Sequence, residues 1–238
     1  MLLPAVFKCL TVYISIMASL FTLDIGGTLL AVLFGIALIY FGLSMWWLFL
    51  AVMVDFLVLS SIVTKAGDDE KSKIRGYEKV RGWKNVVANG IVPVAIAALY
   101  FVDSTYGFFP VKILVFAFIA SICSITADKF ASEFGVLAGD PIGIFDFKRK
   151  RKGTSGAITP FGTGMGVVAS ILVGAAYFAI GSSLLIFLVI VVSGVFGNFV
   201  DSVLGHFEEK GIGSKYTSNL LCSLAGALLC AAVLAYIL

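Results

Sequence analysis

Charge is scarce in this chain. Of its 238 residues only 13% are Asp, Glu, Lys or Arg, whereas a soluble domain carries about a quarter. A cytosolic enzyme, a secreted module and a disordered chain are thereby excluded. Histidine is nearly absent, with His206 alone, and the four cysteines (Cys9, Cys123, Cys222, Cys230) lie in or beside apolar runs without a Cys-x-x-Cys, which argues against zinc, haem and a disulfide framework. No Gly-x-x-x-x-Gly-Lys-Ser/Thr loop occurs, so a Walker nucleotide site is absent. The net charge of +3 is too small to point to a nucleic-acid partner. The longest polar stretch, Lys65 to Lys84, has no core-forming run, which excludes a hidden soluble domain.

What is abundant is apolar surface: 60% of residues are hydrophobic and the mean hydropathy is +1.07. A helix needs about 20 mostly apolar residues to cross a hydrocarbon core ~30 Å thick. Scanning at that length predicts an all-α polytopic bundle, a single integral-membrane domain over 1–238. The expected spans are 4–23, 26–43, 45–64, 86–102, 110–127, 158–181, 183–204 and 218–238. The first has a lone Lys8 and no small-x-small cleavage site, so it reads as a retained helix. The pair around Gly42, Leu43 and Ser44 is tight enough for an α-hairpin or a re-entrant element, which leaves six to eight helices.

Fifteen of the seventeen basic residues fall in three loops on one side of these spans, the side that the positive-inside rule assigns to the cytosol. A multi-pass protein of the cell membrane with any active site facing the cytosol is expected. Asp24 and Asp103 are expected at the outer water boundary, and His206 at an interface without a catalytic role.

Ionisable groups within spans are costly and are tolerated where they face a bundle interior or a wet cavity. Four segments at the basic side qualify. Asn85 and Asn89 are four apart near a helix start, fitting either an anion site or a cap with an interhelical hydrogen bond. Asp128, Lys129, Ser132 and Glu133 end the fifth span. The two acids there are five residues apart, about 140° round a helix, so they share a hard cation only with help from other oxygens. Gly153, Thr154, Ser155 and Gly156 follow the basic run Lys148 to Lys152 and suit an amide nest for phosphate. Gly162 and Gly166 suit phosphate or small-xxx-small helix packing. Asn198, Asp201, Ser202 and Gly205 lie at i, i+3, i+4 and i+7, one face carrying an acid beside amide and hydroxyl oxygens, which suits Mg²⁺. Asn219 is positioned to join them. Asp55 lies mid-helix and fits an interhelical contact or a functional role.

Four motifs stand in order. They are Arg-x-x-x-Asn-Val-x-Ala-Asn-Gly from Arg81, Thr-Ala-Asp-x-x-Ala-Ser-Glu-x-Gly from Thr126, Gly-Thr-x-Gly-Ala-Ile-Thr-x-x-Gly-Thr from Gly153 and Gly-x-x-x-Asp-Ser-x-Leu-Gly from Gly197. Together they resemble an integral-membrane family long catalogued as a domain of unknown function, which includes phytyl-phosphate kinase of tocopherol synthesis and transmembrane protein 19. The likeness covers nearly the whole chain, from Gly26-Gly27-Thr28 to the last helix. It departs at Lys129, where the pattern has Thr, and at His206, where it has a small residue.

The resemblance implies a CTP-dependent prenyl-phosphate kinase. Its matching positions are Asn85, Asn89, Asp128, Ser132, Glu133, Gly153, Thr154, Gly156, Gly162, Asp201, Ser202 and Gly205. On that reading Asp128, Glu133 and Asp201 are catalytic and hold Mg²⁺. Asn85, Asn89, Lys129, Ser132, Gly153, Thr154, Ser155, Gly156, Asn198, Ser202 and Asn219 surround the nucleotide (CTP or ATP) and the phosphates. The partners are a prenyl lipid, the nucleotide and membrane lipids. Two alternatives stand beside it: nucleotidyl transfer from CTP giving a CDP-lipid, and a lipid or ion transporter using Asp55 and Asp201.

Overall fold

A computed structural model describes residues 22–74, 78–108 and 110–238, and all of the expected span 4–23 but its last two residues lies outside the described residues. The described chain is a bundle of helices. The first, α1 (Ile25–Phe41), begins at Asp24, whose carboxylate accepts from the Gly27 amide at 2.6 Å. It is joined through Gly42 and a 3₁₀ turn (Leu43–Met45) to α2 (Trp46–Lys65). A side chain on Gly42 would stand 2.6 Å from the Leu38 carbonyl oxygen, so the close turn needs glycine. The pair is an α-hairpin, and at 17 residues α1 is ~25 Å long, short of the hydrocarbon core.

A one-turn helix α3 (Asp68–Lys71) precedes α4 (Trp83–Tyr106), which carries Pro93 inside it. Then come α5 (Val111–Gly135), a two-stranded hairpin pairing β1 (Ile142–Gly143) with β2 (Ala157–Ile158), and α6 (Pro160–Gly174), capped by Thr159 and continued by a 3₁₀ turn. The last two helices are α7 (Leu184–Glu208) and α8 (Lys215–Ile237), the latter opened by a Ser214/Thr217 capping box. Six of these segments are long and apolar enough to cross a membrane, with α1 as a shorter apolar helix.

Helix α5 is the axis of the fold. It packs against α2, α4, α6, α7 and α8, and 78% of its apolar stretch is buried. Phe118 stacks on Phe49 of α2 with centroids 4.3 Å apart, and Phe49 meets Tyr100 of α4 edge-on at 5.3 Å. Toward α7 and α8 the contact is made by small residues. A Cβ on Gly197 would stand 2.5 Å from Ser124 Cβ, and one on Gly226 would stand 2.9 Å from the Ser193 carbonyl oxygen. Such closeness is how helices gain van der Waals contact in lipid, where no hydrophobic drive separates them from the solvent. By contrast α1 packs chiefly on α4 and α2, and its outer face (Leu29, Val32, Leu33, Ile36) is exposed.

The antiparallel run of helices brings the ends of α2, α5 and α7 together with the starts of α1, α4, α6 and α8. This is the basic end of the molecule. Asp24 belongs there and not at the opposite boundary: its amide donates to the Arg81 carbonyl at 3.0 Å, while the Arg81 amide donates to Thr22 at 2.8 Å. Asp103 is near the other end of α4, where its side chain is buried.

Candidate functional site

The four polar segments meet at the basic end, around two cavities that share a wall. One, about 350 Å³, is polar and lies beneath the glycine loop. It is lined by Gly153 to Thr159 and by Asp128, Glu133, Asn198, Asp201 and Ser202. The other, about 90 Å³, has a polar mouth at Asn85, Asn89 and Lys129 and an apolar arm at Ala31, Phe34, Met53, Phe56 and Leu57. Arg81, Asp128, Ser132, Lys215 and Asn219 border both.

The wall is built from helix ends. Asp128 of α5 and Asp201 of α7 face each other closely enough for a hydrogen bond between their carboxyls, with the charges of Lys215, Lys129 and Arg81 acting on Asp128. Oδ1 of Asp201 is buried without a hydrogen-bond partner among the described residues. Two opposed carboxyls, one of them with an orphaned buried oxygen, are donors that a hard divalent cation satisfies, so these residues fit Mg²⁺. Across the cavity mouth Asn219 Nδ2 donates to Asn89 Oδ1 at 3.1 Å, which ties α8 to α4. Asn85 is buried beside them. Ser202 is drawn back onto its own helix, its hydroxyl donating to the Asn198 carbonyl at 3.2 Å.

Glu133 does not join the aspartates. The expected triad of Asp128, Glu133 and Asp201 is divided, and no group of three His, Cys, Asp or Glu side chains placed to share a metal forms among the described residues. The physical reason is a surplus of cations around Glu133. Lys71 Nζ lies 2.8 Å from its Oε2, Arg81 Nη2 lies 3.2 Å from its Oε1, Lys129 also contacts Oε1, and Thr64 donates at 3.3 Å. Lys71 is fully buried and spends a second N–H on the Val63 carbonyl at 2.6 Å. A carboxylate so fully engaged orients Arg81 and Lys129 at the cavity; it has little left to offer a metal.

The glycine loop is in place but partly engaged. Gly153 and Gly156 have positive φ (85° and 70°), a backbone region that glycine enters without strain. Gly156 is pressed against α7, where a Cβ would stand 2.6 Å from the Ser202 carbonyl oxygen. The Ser155 amide and hydroxyl donate to Glu209 and Glu208, each at 2.8 Å, so the Ser155 N–H serves carboxylates. Thr154 faces the polar cavity. Gly162 and Gly166 take the packing role: Cβ atoms there would meet the Ala131 and Ala127 carbonyl oxygens of α5 at 2.5 and 3.0 Å. Asp55 and His206 border neither cavity; the His206 ring lies 4.7 Å from Phe145.

Sequence reasoning missed Lys71, Lys215, Glu208 and the apolar arm as parts of the site. The two lysines look like any other loop lysine in a topogenic count. Nothing local marks Phe34 or Met53 among so many apolar residues. Arg81 did carry a signal, standing at the head of the first motif.

Residues 8–221 match the family described as integral membrane protein DUF92. The chain belongs to that family. The matched span takes in both cavities of this DUF92 protein. It is 33% identical over 210 residues to an uncharacterized membrane protein of Methanocaldococcus jannaschii, covering 87% of this chain and 84% of that one. It is 27% identical over 179 residues to Protein PGR of Arabidopsis thaliana, covering 65% of this chain and 62% of that one. No solved structure matches.

Proposed function

We propose that this DUF92 protein is a membrane-embedded lipid kinase. It transfers the γ-phosphoryl group of a nucleotide, CTP in the first instance, to a prenyl monophosphate and yields the prenyl diphosphate at the cytosolic face of the cell membrane. The observation that supports this reading is the shared wall. A polar basin and an apolar arm meet at Arg81, Asp128, Ser132, Lys215 and Asn219, an arrangement suited to a water-soluble donor and a hydrocarbon-tailed acceptor that react at the boundary.

In this mechanism the acceptor's tail lies along Ala31, Phe34, Met53, Phe56 and Leu57, and its phosphate meets Arg81, Lys129 and Lys215. The amides of Asn85, Asn89 and Asn219 bind and orient the phosphate oxygens. The donor's phosphates occupy the basin beside Thr154 and the loop amides not already bonded to Glu209. Asp128 and Asp201 are the residues that would hold Mg²⁺, which when bound supplies charge neutralisation to the donor's phosphates. An acceptor phosphate oxygen forms a bond to the γ-phosphorus as the β–γ bridging bond breaks, and the nucleoside diphosphate leaves. A monophosphate is already an anionic nucleophile at neutral pH, so positioning and charge stabilisation suffice and no histidine base is needed.

The test uses purified full-length protein in detergent with Mg²⁺, prenols, prenyl monophosphates, and CTP or ATP labelled at the α or the γ position. The expected product is a prenyl diphosphate carrying γ-label. Asp128→Asn and Asp201→Asn should each lower the rate by roughly 100-fold or more. Label from the α position in lipid would instead establish nucleotidyl transfer. Absence of lipid labelling from folded protein, with lipid flux in proteoliposomes that needs no nucleotide, would replace the kinase reading by transport.

A further inference from the structure

The apolar arm runs down between α1, α2 and α4. Helix rise puts Phe34, nine residues into α1, ~14 Å from the basic end, and Met53, twelve residues above Lys65 in α2, ~18 Å from it. Phe34 is half-buried and lines the arm, while Met53 and Phe56 beside it are buried. Its ring is seated directly on the backbone of Gly90 in α4: a Cβ there would stand 2.5 Å from Phe34 Cε2. Glycine at 90 is therefore what lets the ring lie across the arm between α1 and α4. Among the described helices α1 lies at the edge of the bundle, on α4 and α2, and a chain descending the arm meets this ring before it reaches Met53.

The geometry points to Phe34, seated on Gly90, as the gauge of acceptor chain length. The inference rests on the lipid-kinase reading and adds to it the residue that sets which tails fit. A hydrocarbon chain that ends above the ring fits without moving it. A longer one must displace the ring or leave its far end outside the protein. Trimming the ring opens the arm toward Met53, and enlarging it shortens the arm.

The experiment measures binding and turnover separately, for a ladder of prenyl monophosphates from geranyl through geranylgeranyl to longer chains. Native protein is compared with Phe34→Ala, Phe34→Leu and Phe34→Trp. Competition binding is read without nucleotide. Phe34→Ala should shift the preferred length upward, with about a 10-fold gain for longer over shorter chains. Phe34→Leu, the substitution gentlest on folding, should move it part of the way, and Phe34→Trp should move it down. An unchanged length profile in the folded variants overturns the gauge. So does binding that is insensitive to chain length, the result expected if a bilayer lipid fills the arm instead. If native protein binds the ladder but transfers no phosphoryl group, the kinase reading fails while the gauge is still judged on the binding profile.

Discussion

At the residue scale the site is governed by which carboxylate finds which cation. Asp128 and Asp201 oppose each other with one oxygen unpartnered, so in metal-free protein the pair must hold a proton between them to avoid two facing charges. Asp201→Asn is expected to raise the metal-free melting temperature by a few degrees and to abolish the further rise that Mg²⁺ produces in native protein. A thermal-shift titration with and without Mg²⁺ reads both effects, and an equal Mg²⁺ response in the variant would remove these residues from cation binding. Glu133 behaves in the opposite way. Glu133→Ala leaves the fully buried Lys71 without its carboxylate and should cost about 3–5 kcal/mol. Lys71→Met leaves Glu133 still paired with Arg81 and Lys129 and should cost clearly less. Denaturation of both variants in detergent tests that asymmetry; equal losses would mean that Glu133 is not the hub of this cluster.

At the scale of elements, helix identity was legible and helix rotation was not. The expected spans after the first correspond to α1, α2, α4, α5, α6 with its 3₁₀ extension, α7 and α8, with ends that move by several residues. The largest change is α5, expected to end near residue 127 and found to run to Gly135. Its last two turns carry Asp128, Lys129 and Glu133, whose charges lower the hydropathy below any membrane threshold although the helix itself continues. Small residues at the α5–α7–α8 crossing explain how this charged end stays registered with its neighbours. Gly226→Val places a side chain against the Ser193 carbonyl oxygen and Ser124, so it should destabilise the bundle by about 1–3 kcal/mol. Gly164→Ala, where a Cβ meets nothing within 4 Å, should be neutral. Comparing the folded yields and melting temperatures of the two variants checks the packing.

At the scale of the whole molecule, orientation follows from charge asymmetry. In a background without native cysteines, Ser44→Cys at the α1–α2 turn should react with an impermeant maleimide on intact cells. Lys150→Cys in the hairpin should react only after permeabilisation. The reverse pattern would turn the site to the outside and remove access to cellular nucleotide. Class, membrane spanning and the gathering of polar motifs at one end were determined by the sequence itself, because hydropathy over a bilayer's thickness and the spacing of residues on a helix face are local properties. The tertiary structure decided which polar groups meet. Glu133 pairs with Arg81 and Thr64 across 52 and 69 residues, Asn219 reaches Asn89 across 130, and Phe34 lies over Gly90. Those meetings depend on how each helix is rotated and how closely its neighbours approach, which packing around α5 sets and no local pattern encodes.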